Sequence, residues 1–227
     1  MTNQIIITGA SSSIGKNIIS KLNKSKNFLF CQINKNYIIK KKGILHYSSD
    51  FNKTKSLKKF IKWILKKNKK INTIIHLPAS KISLKKFTEF SWDEIQNQIN
   101  IQVRSLHLLI LGIFNKNMFN KNAKIIIVGS EVTRITPPKG MLDYVCAKAL
   151  LQYYYLAIKN ELINTKIKVI FIRPTMFESP LLSYLPNYFI KKYSNDKSKK
   201  ILNSISSKII HLINNNSDFK KNFIDIK

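Results

Sequence analysis

The sequence predicts an α/β fold: a doubly wound parallel sheet with helices on both faces, formed by all 227 residues as a single domain. Three observations carry this expectation. Short apolar runs of strand length alternate with longer stretches whose apolar residues recur at helical spacing. The runs are apolar nearly throughout, as strands buried on both sides are. The first of them, Ile5-Ile6-Ile7, leads directly into Thr8-Gly9-Ala10-Ser11-Ser12-Ser13-Ile14-Gly15, a glycine-containing turn at the head of a helix. Strand, turn and helix in that order form an anion cradle, because a helix N-terminus offers unpaired backbone N–H groups to a pyrophosphate.

Ile5 to Thr8 reads as the first strand, Lys16 to Lys24 as its helix and Phe28 to Ile33 as the second strand. Thr54 to Lys67 is a helix with Leu57, Phe60, Ile61 and Ile64 at core spacing, and Ile71 to His76 is the next strand, completing a βαβαβ half over residues 1–80. Trp92 to Phe114 supplies another helical stretch, Lys124 to Gly129 a strand, Leu142 to Leu162 a long helix and Lys168 to Ile172 a strand. Right-handed crossovers through these helices cover both sheet faces. From Leu181 to Ser198 periodicity fades around Pro180, Pro186 and paired lysines, which reads as a loop or short helices over a sheet edge. Ser204 to Ile213 resumes helical spacing, and Asn222 to Ile226 forms a last edge strand.

With 44% apolar residues the chain is not disordered, despite a formal charge of +29. That charge suggests nucleic acid, but only Arg104, Arg134 and Arg173 are arginines, and the lysines are spread over every segment. Base-edge and bidentate phosphate recognition enlist arginine, so specific nucleic-acid binding is not expected. The lysines instead give a surface that attracts acidic partners, such as a carrier protein or a phosphorylated substrate. Six lysines beside Trp63 could make Thr54 to Lys67 a membrane-surface helix; its place between two strands favours a solvated outer helix. No apolar run approaches the roughly 20 residues that cross a bilayer. The first strand begins too early to leave room for a secretory signal, so a cytoplasmic location is expected. Cys31 and Cys146 read as packing thiols, and no metal site is expected.

The segment Tyr144-Val145-Cys146-Ala147-Lys148 puts a phenol and an ammonium four residues apart, on one helix face, downstream of Ser130. A free phenol titrates near pH ~10, and an adjacent ammonium that stabilises phenolate lets it shuttle a proton nearer neutrality. Taken alone, Tyr144 reads equally as one more packing aromatic beside Tyr153, Tyr154 and Tyr155. Ser130 and the glycine turn, each in the expected element, favour chemistry.

On these residues the chain resembles the classical short-chain dehydrogenase/reductase family over essentially its whole length, and is similar to its 3-oxoacyl-[acyl-carrier-protein] reductases. The resemblance implies a Rossmann-like fold. It also implies that Tyr144 donates a proton to a carbonyl oxygen as hydride arrives at carbon, Ser130 orients that oxygen, and Lys148 holds the nicotinamide ribose. Gln102 takes the place of an asparagine that supports a relay water in relatives; Asn100 would point elsewhere on a regular helix. Thr8, Gly9 and Gly15 match the family's glycine turn, while Ser13 stands in its middle glycine slot. Ser11, Ser12, Ser13 and Ile14 would line the pyrophosphate.

Further implied cofactor contacts are Asp50 near adenine, Ala79 after the strand ending at His76, and Pro174 and Ser179 over the nicotinamide. Pro78 occupies a slot where relatives have asparagine; His76 reads as structural. The end of the second strand, Gln32-Ile33-Asn34-Lys35, lacks the carboxylate that NAD-dependent relatives use, and Lys35 would attract a 2′-phosphate, so NADP is expected over NAD. Residues 181–200 would form a substrate lid with an apolar pocket. The expected activity is NADPH-dependent reduction of a ketone, a 3-oxoacyl thioester on an acidic acyl carrier protein, by a homodimer or homotetramer. The alternatives are an oxidoreductase acting on a sugar or cell-envelope precursor, and a degenerate relative that serves as a binding or assembly subunit, suggested by Ser13, Pro78 and Gln102.

Overall fold

The computed structural model describes residues 3–22, 26–34, 42–193 and 198–227. Seven parallel strands form one sheet: β1 (Asn3–Thr8), β2 (Asn27–Ile33), β3 (Ile44–Ser48), β4 (Ile71–His76), β5 (Phe119–Val128), β6 (Lys168–Pro174) and β7 (Phe223–Ile226), in the order β3-β2-β1-β4-β5-β6-β7. The helices are α1 (Ser13–Lys21), α2 (Thr54–Leu65), α3 (Trp92–Ile99), α4 (Ser105–Asn115), α5 (Leu142–Glu161), α6 (Asn187–Tyr193) and α7 (Ser198–Asn214). The doubly wound sheet expected from the apolar runs is thus the fold found.

Strand periodicity decides the two layers. Ile5 and Ile7 of β1 turn to one face, where they join Ile75, Ile126 and Ile170 under Ile18 of α1 and Ile205 and Ile209 of α7. Ile6 turns to the other, with Ile74, Ile125 and Phe171 under Leu57 of α2, Leu106 of α4 and Leu151 of α5. Trp63 packs against Phe30, Tyr47 and Phe60, so the apolar face of α2 lies on the sheet and its lysines face outward. Burial raises the Cys31 thiol to about 12, which leaves it a packing group. Among the described residues no helix is long and apolar enough to cross a membrane, and no group of His, Cys, Asp or Glu could hold a metal.

Four elements differ from the sequence reading. The edge strand β3 went unseen because Ile44-Leu45-His46-Tyr47-Ser48 is short and only partly covered, held by β2 alone. Strand β5 starts at Phe119, where Ile71 pairs with it across a register shift that polar Asn120 and Lys121 disguise. Helix α7 starts six residues before Ser204, whereas the short helix α6 falls where a loop or short helices were expected. Finally, Trp92 to Phe114 is not one regular helix: a π turn at Asn100–Arg104 separates α3 from α4. Lys24, the expected end of the first helix, lies outside the described residues; α1 ends at Lys21.

Lys124 shows how buried charge is accommodated. It is 7% exposed, and its Nζ donates to the carbonyls of Leu212, Ile213 and Asn215 at 2.8, 2.7 and 3.1 Å, capping the last turn of α7. Lys124→Met would leave those carbonyls without a donor. A loss of about 2–3 kcal/mol is expected, read as a Tm lower by about 4–12 °C in thermal unfolding; an unchanged Tm would show that water replaces the ammonium.

Candidate functional site

At the carboxyl ends of the strands, β1 has β2 on one side and β4 on the other, so the chain leaves the sheet toward opposite faces from neighbouring strands. A crevice opens at such a reversal. It holds a cavity of about 340 Å³.

The glycine turn forms one part of its wall. Gly9 sits at φ 68°, and an added Cβ would meet the Pro78 nitrogen at 3.0 Å, so the turn requires glycine there. Gly15 is not among the lining residues. It acts from behind, where an added Cβ would lie 2.6 Å from the Ala10 carbonyl oxygen, and so lets α1 close onto the turn. Ser12 caps α1, accepting from Gly15 N at 3.1 Å, while Ser11, Ser13 and Ile14 line the cavity at the helix head. These small residues and first-turn amides suit a pyrophosphate, and the Ser13 side chain does not close the cavity.

Gln32, named in the sequence only as part of a segment without a carboxylate, braces this turn. Its Oε1 accepts from Gly9 N at 2.8 Å, its backbone carbonyl accepts from Ala10 N at 3.0 Å, and its Nε2 donates to the Ser49 carbonyl at 2.7 Å. Asn34 and Asp50 also line the cavity; Asp50 Oδ1 accepts from Asn52 N at 2.9 Å and does not cap α2, whose N-cap is Lys53. Lys35 lies outside the described residues.

Across the reversal, Ser130 follows β5 and Tyr144 and Lys148 stand one turn apart on α5; all three are buried and line the same cavity. The Tyr144 phenol is hydrogen-bonded to Ser130, but burial dominates and raises it to about 12. Burial lowers Lys148 to about 7. Its Nζ donates to the Val128 carbonyl at 3.2 Å and stands 5.5 Å from the Tyr144 ring centroid. The pair is therefore a protonated phenol beside an ammonium ready to change charge near neutrality.

Gln102 is brought near the site but not into it. It is fully buried, does not line the cavity, and donates from Nε2 to Gln98 Oε1 at 2.9 Å; its own Oε1 finds no partner among the described residues. Gln98 in turn accepts from Ser80 N at 3.2 Å and donates to Asp143 Oδ2 at 3.4 Å, and Asp143 Oδ1 accepts from Tyr144 N at 2.7 Å. The carboxamide thus braces the start of α5 through two intermediaries. Asn100 bonds Gln96 and Asn52 instead.

The Gln102 backbone carbonyl, on the π turn, accepts from His76 Nε2 at 2.8 Å. A carbonyl only accepts, so Nε2 carries the hydrogen and Nδ1 accepts from Thr8 Oγ1, 2.9 Å away. His76 is a neutral clamp between the glycine turn and the π turn. Burial holds it down to about 3, with Lys148 adding to the effect.

Pro174 at the end of β6 and Thr175, Met176 and Ser179 of the loop after it complete the wall of the cavity, which Ala79 also lines. Glu131, which the sequence reading missed, holds this loop, its Oε1 accepting from the Thr175 hydroxyl and from Met176 N. Its signal was its scarcity: one of 11 acids among 40 basic residues, placed directly after Ser130.

A family model described as short chain dehydrogenase matches residues 3–187. The 3-oxoacyl-[acyl-carrier-protein] reductase of Buchnera aphidicola subsp. Baizongia pistaciae is 24% identical over 226 residues, covering 94% of this chain and 91% of that protein. Two solved structures share the fold. The 3-ketoacyl-(acyl-carrier-protein) reductase of Brucella melitensis, complexed with NADH, has a TM-score of 0.79 at 16% identity, over 98% of this chain and 96% of that one. A short chain dehydrogenase of Burkholderia cenocepacia, in complex with NADP, has a TM-score of 0.80 at 13% identity, over 99% and 96%.

Replacing His76 by Leu takes the donor from the buried Gln102 carbonyl and leaves the Thr8 hydroxyl with only the Ile75 carbonyl, at 3.3 Å. It should destabilise the protein by about 2–3 kcal/mol in urea unfolding, and His76→Gln, which can still donate, should recover part of this. The neutral ring also sets a pH dependence. Its folded pKa lies below the unfolded value, so the unfolded state binds more protons between about 3 and 6.5, and stability falls as pH drops below 6.5. His76→Gln should flatten that decline between about pH 6.5 and 5.

Proposed function

The chain belongs to the short chain dehydrogenase family and is an NAD(P)-dependent oxidoreductase of the carbonyl-reducing kind, and from that premise we propose that it uses NADPH to reduce the ketone of a 3-oxoacyl thioester to a secondary alcohol. One observation carries the reading: Ser130, Tyr144 and Lys148 line the same cavity as the glycine turn. When bound, the reduced nicotinamide supplies the hydride. Tyr144, held protonated by burial, gives its phenolic proton to the carbonyl oxygen, so that carbon and oxygen each gain one hydrogen. Ser130 orients that oxygen and bonds the phenolate left behind. Lys148 supplies positive charge beside the phenolate and holds the ribose hydroxyls.

The acyl chain would lie against Ile82, Met176, Leu181 and Leu182, an apolar wall. The net charge of +29 suits an acidic carrier protein. NADPH is favoured over NADH because no carboxylate ends β2 and the Gln32 carboxamide is already committed to Gly9 and Ser49. Leu111 and Phe114 of α4 and Leu150 and Tyr153 of α5 are exposed, which supports pairing of these helices with a second copy of the chain. The withdrawal of Gln102 from the cavity favours a second reading, a dinucleotide-binding protein with little turnover.

Tyr144→Phe separates the two. Steady-state reduction of a 3-oxoacyl thioester, followed by NADPH absorbance, should fall about 10²–10⁴-fold while NADPH affinity, read by fluorescence titration, is kept. Equal rates in the variant would remove Tyr144 from the chemistry; no turnover in either protein with tight NADPH binding would favour the second reading.

Lys148 gives an independent check. An anionic dinucleotide raises the pKa of a nearby ammonium, so binding at pH about 8 should take up a proton, and affinity should weaken as pH rises through and above about 7. Calorimetry in buffers of different ionisation enthalpy, with NADH run beside NADPH to remove the 2′-phosphate contribution, should show the uptake in the wild type and none in Lys148→Met.

A further inference from the structure

Three charged side chains line the cavity among the described residues: Asp50, Lys81 and Lys148. Asp50 sits at the β3–α2 junction with one oxygen on Asn52 N, and Lys148 is 3% exposed with its Nζ on the Val128 carbonyl. Lys81 differs from both, being exposed at the mouth. Its Nζ stands 4.0 Å from the centroid of the Tyr184 ring, and the next residue, Ile82, donates its N–H to the Leu181 carbonyl at 3.1 Å. The ammonium is therefore held where the segment after β4 meets the segment after β6, which sequence reading assigned to a lid. Directly inside it the wall is apolar, with Ile82, Leu181 and Leu182 of the cluster that also packs Tyr144.

An apolar wall that ends in one positioned cation matches a ligand with an apolar reacting part and an anion beyond it. A cation resting on an aromatic face keeps its N–H groups on the outer side free to donate, and the ring narrows the volume the long side chain samples. We propose that Lys81 is a specificity-determining residue that binds an anionic group, a phosphate or a carboxylate, carried by the carbonyl substrate away from its reacting carbon. This deepens the reductase reading and rests on it.

The test compares wild type with Lys81→Gln on two matched pairs of substrates: the coenzyme A and N-acetylcysteamine thioesters of 3-oxobutanoate, and 5-oxohexanoate with its methyl ester. Within each pair the anion is present in one member and absent from the other. The expected result is a fall of about five- to tenfold in the preference for the anionic member, carried by KM and not kcat, lessened by salt and kept by Lys81→Arg. A change confined to the coenzyme A pair identifies phosphate, and one confined to the oxo acid identifies carboxylate. An unchanged preference in both pairs would overturn the proposal, as would a matching loss of NADPH affinity, which would assign the lysine to the cofactor. Calorimetric binding of coenzyme A against pantetheine, and of hexanoate against its methyl ester, to the NADPH-loaded protein decides the same point without turnover. A Lys81-dependent advantage for either anionic ligand supports the site even if no ketone is reduced, an outcome that would sink the reductase reading alone; equal binding of both anionic ligands by wild type and Lys81→Gln overturns the site.

Discussion

The placing of the site depends on a constraint of connection: β1 is hydrogen-bonded to β2 on one side and to β4 on the other, so that helices leaving neighbouring strand ends must diverge. Parallel strands point all their carboxyl ends one way, and divergence at one gap leaves room for a long ligand to lie across the sheet without displacing a helix. Gly9, Ser130 and Pro174 follow or end strands of very different sequence position and meet there because each is at or just beyond the end of its strand. The two cores beneath, one per face, support those ends, and the side chains of the candidate site stand on them.

Much of this was legible from the chain. Both-sided burial makes strand sequences apolar throughout, and that signal found five strands and the last edge strand with only their ends misplaced. The candidate site was legible to the extent that Gly9, Ser130, Tyr144 and Lys148, picked out by residue type and order, line one cavity. What stayed hidden was of two kinds. Edge elements such as β3 bury too little to show a pattern, since a strand held on one side tolerates His46 and Ser48. Long-range hydrogen bonds have no sequence signature at all: nothing local in Gln32, His76 or Glu131 reveals that their partners lie at Gly9, Gln102 and Met176.

Those three residues share a physical logic. Each joins two segments at the cavity through hydrogen bonds of a side chain that is buried for Gln32 and His76 and half-buried for Glu131, and buried polar groups are expensive to strand. The cavity wall is thus assembled from loops but held as stiffly as an element. Gln102 illustrates the other side of this: a carboxamide drawn into bracing is unavailable to the cavity, and its uncommitted Oε1 is the loose end of the network.

The π turn at Asn100–Arg104 bears on the molecule in another way. A regular helix advances about 100° of azimuth per residue, so one surplus residue in a turn rotates everything beyond it by that angle. The helix before the turn is phased to lie on α5 and the helix after it to lie on α2. One continuous run of chain therefore has two phases, and the surplus residue is the offset between them. A single deletion within residues 100–104 would leave every side chain of α4 chemically intact yet turn Leu106, Leu109, Ile110 and Ile113 off the sheet together, a change of angle no compensating substitution at one position could reverse.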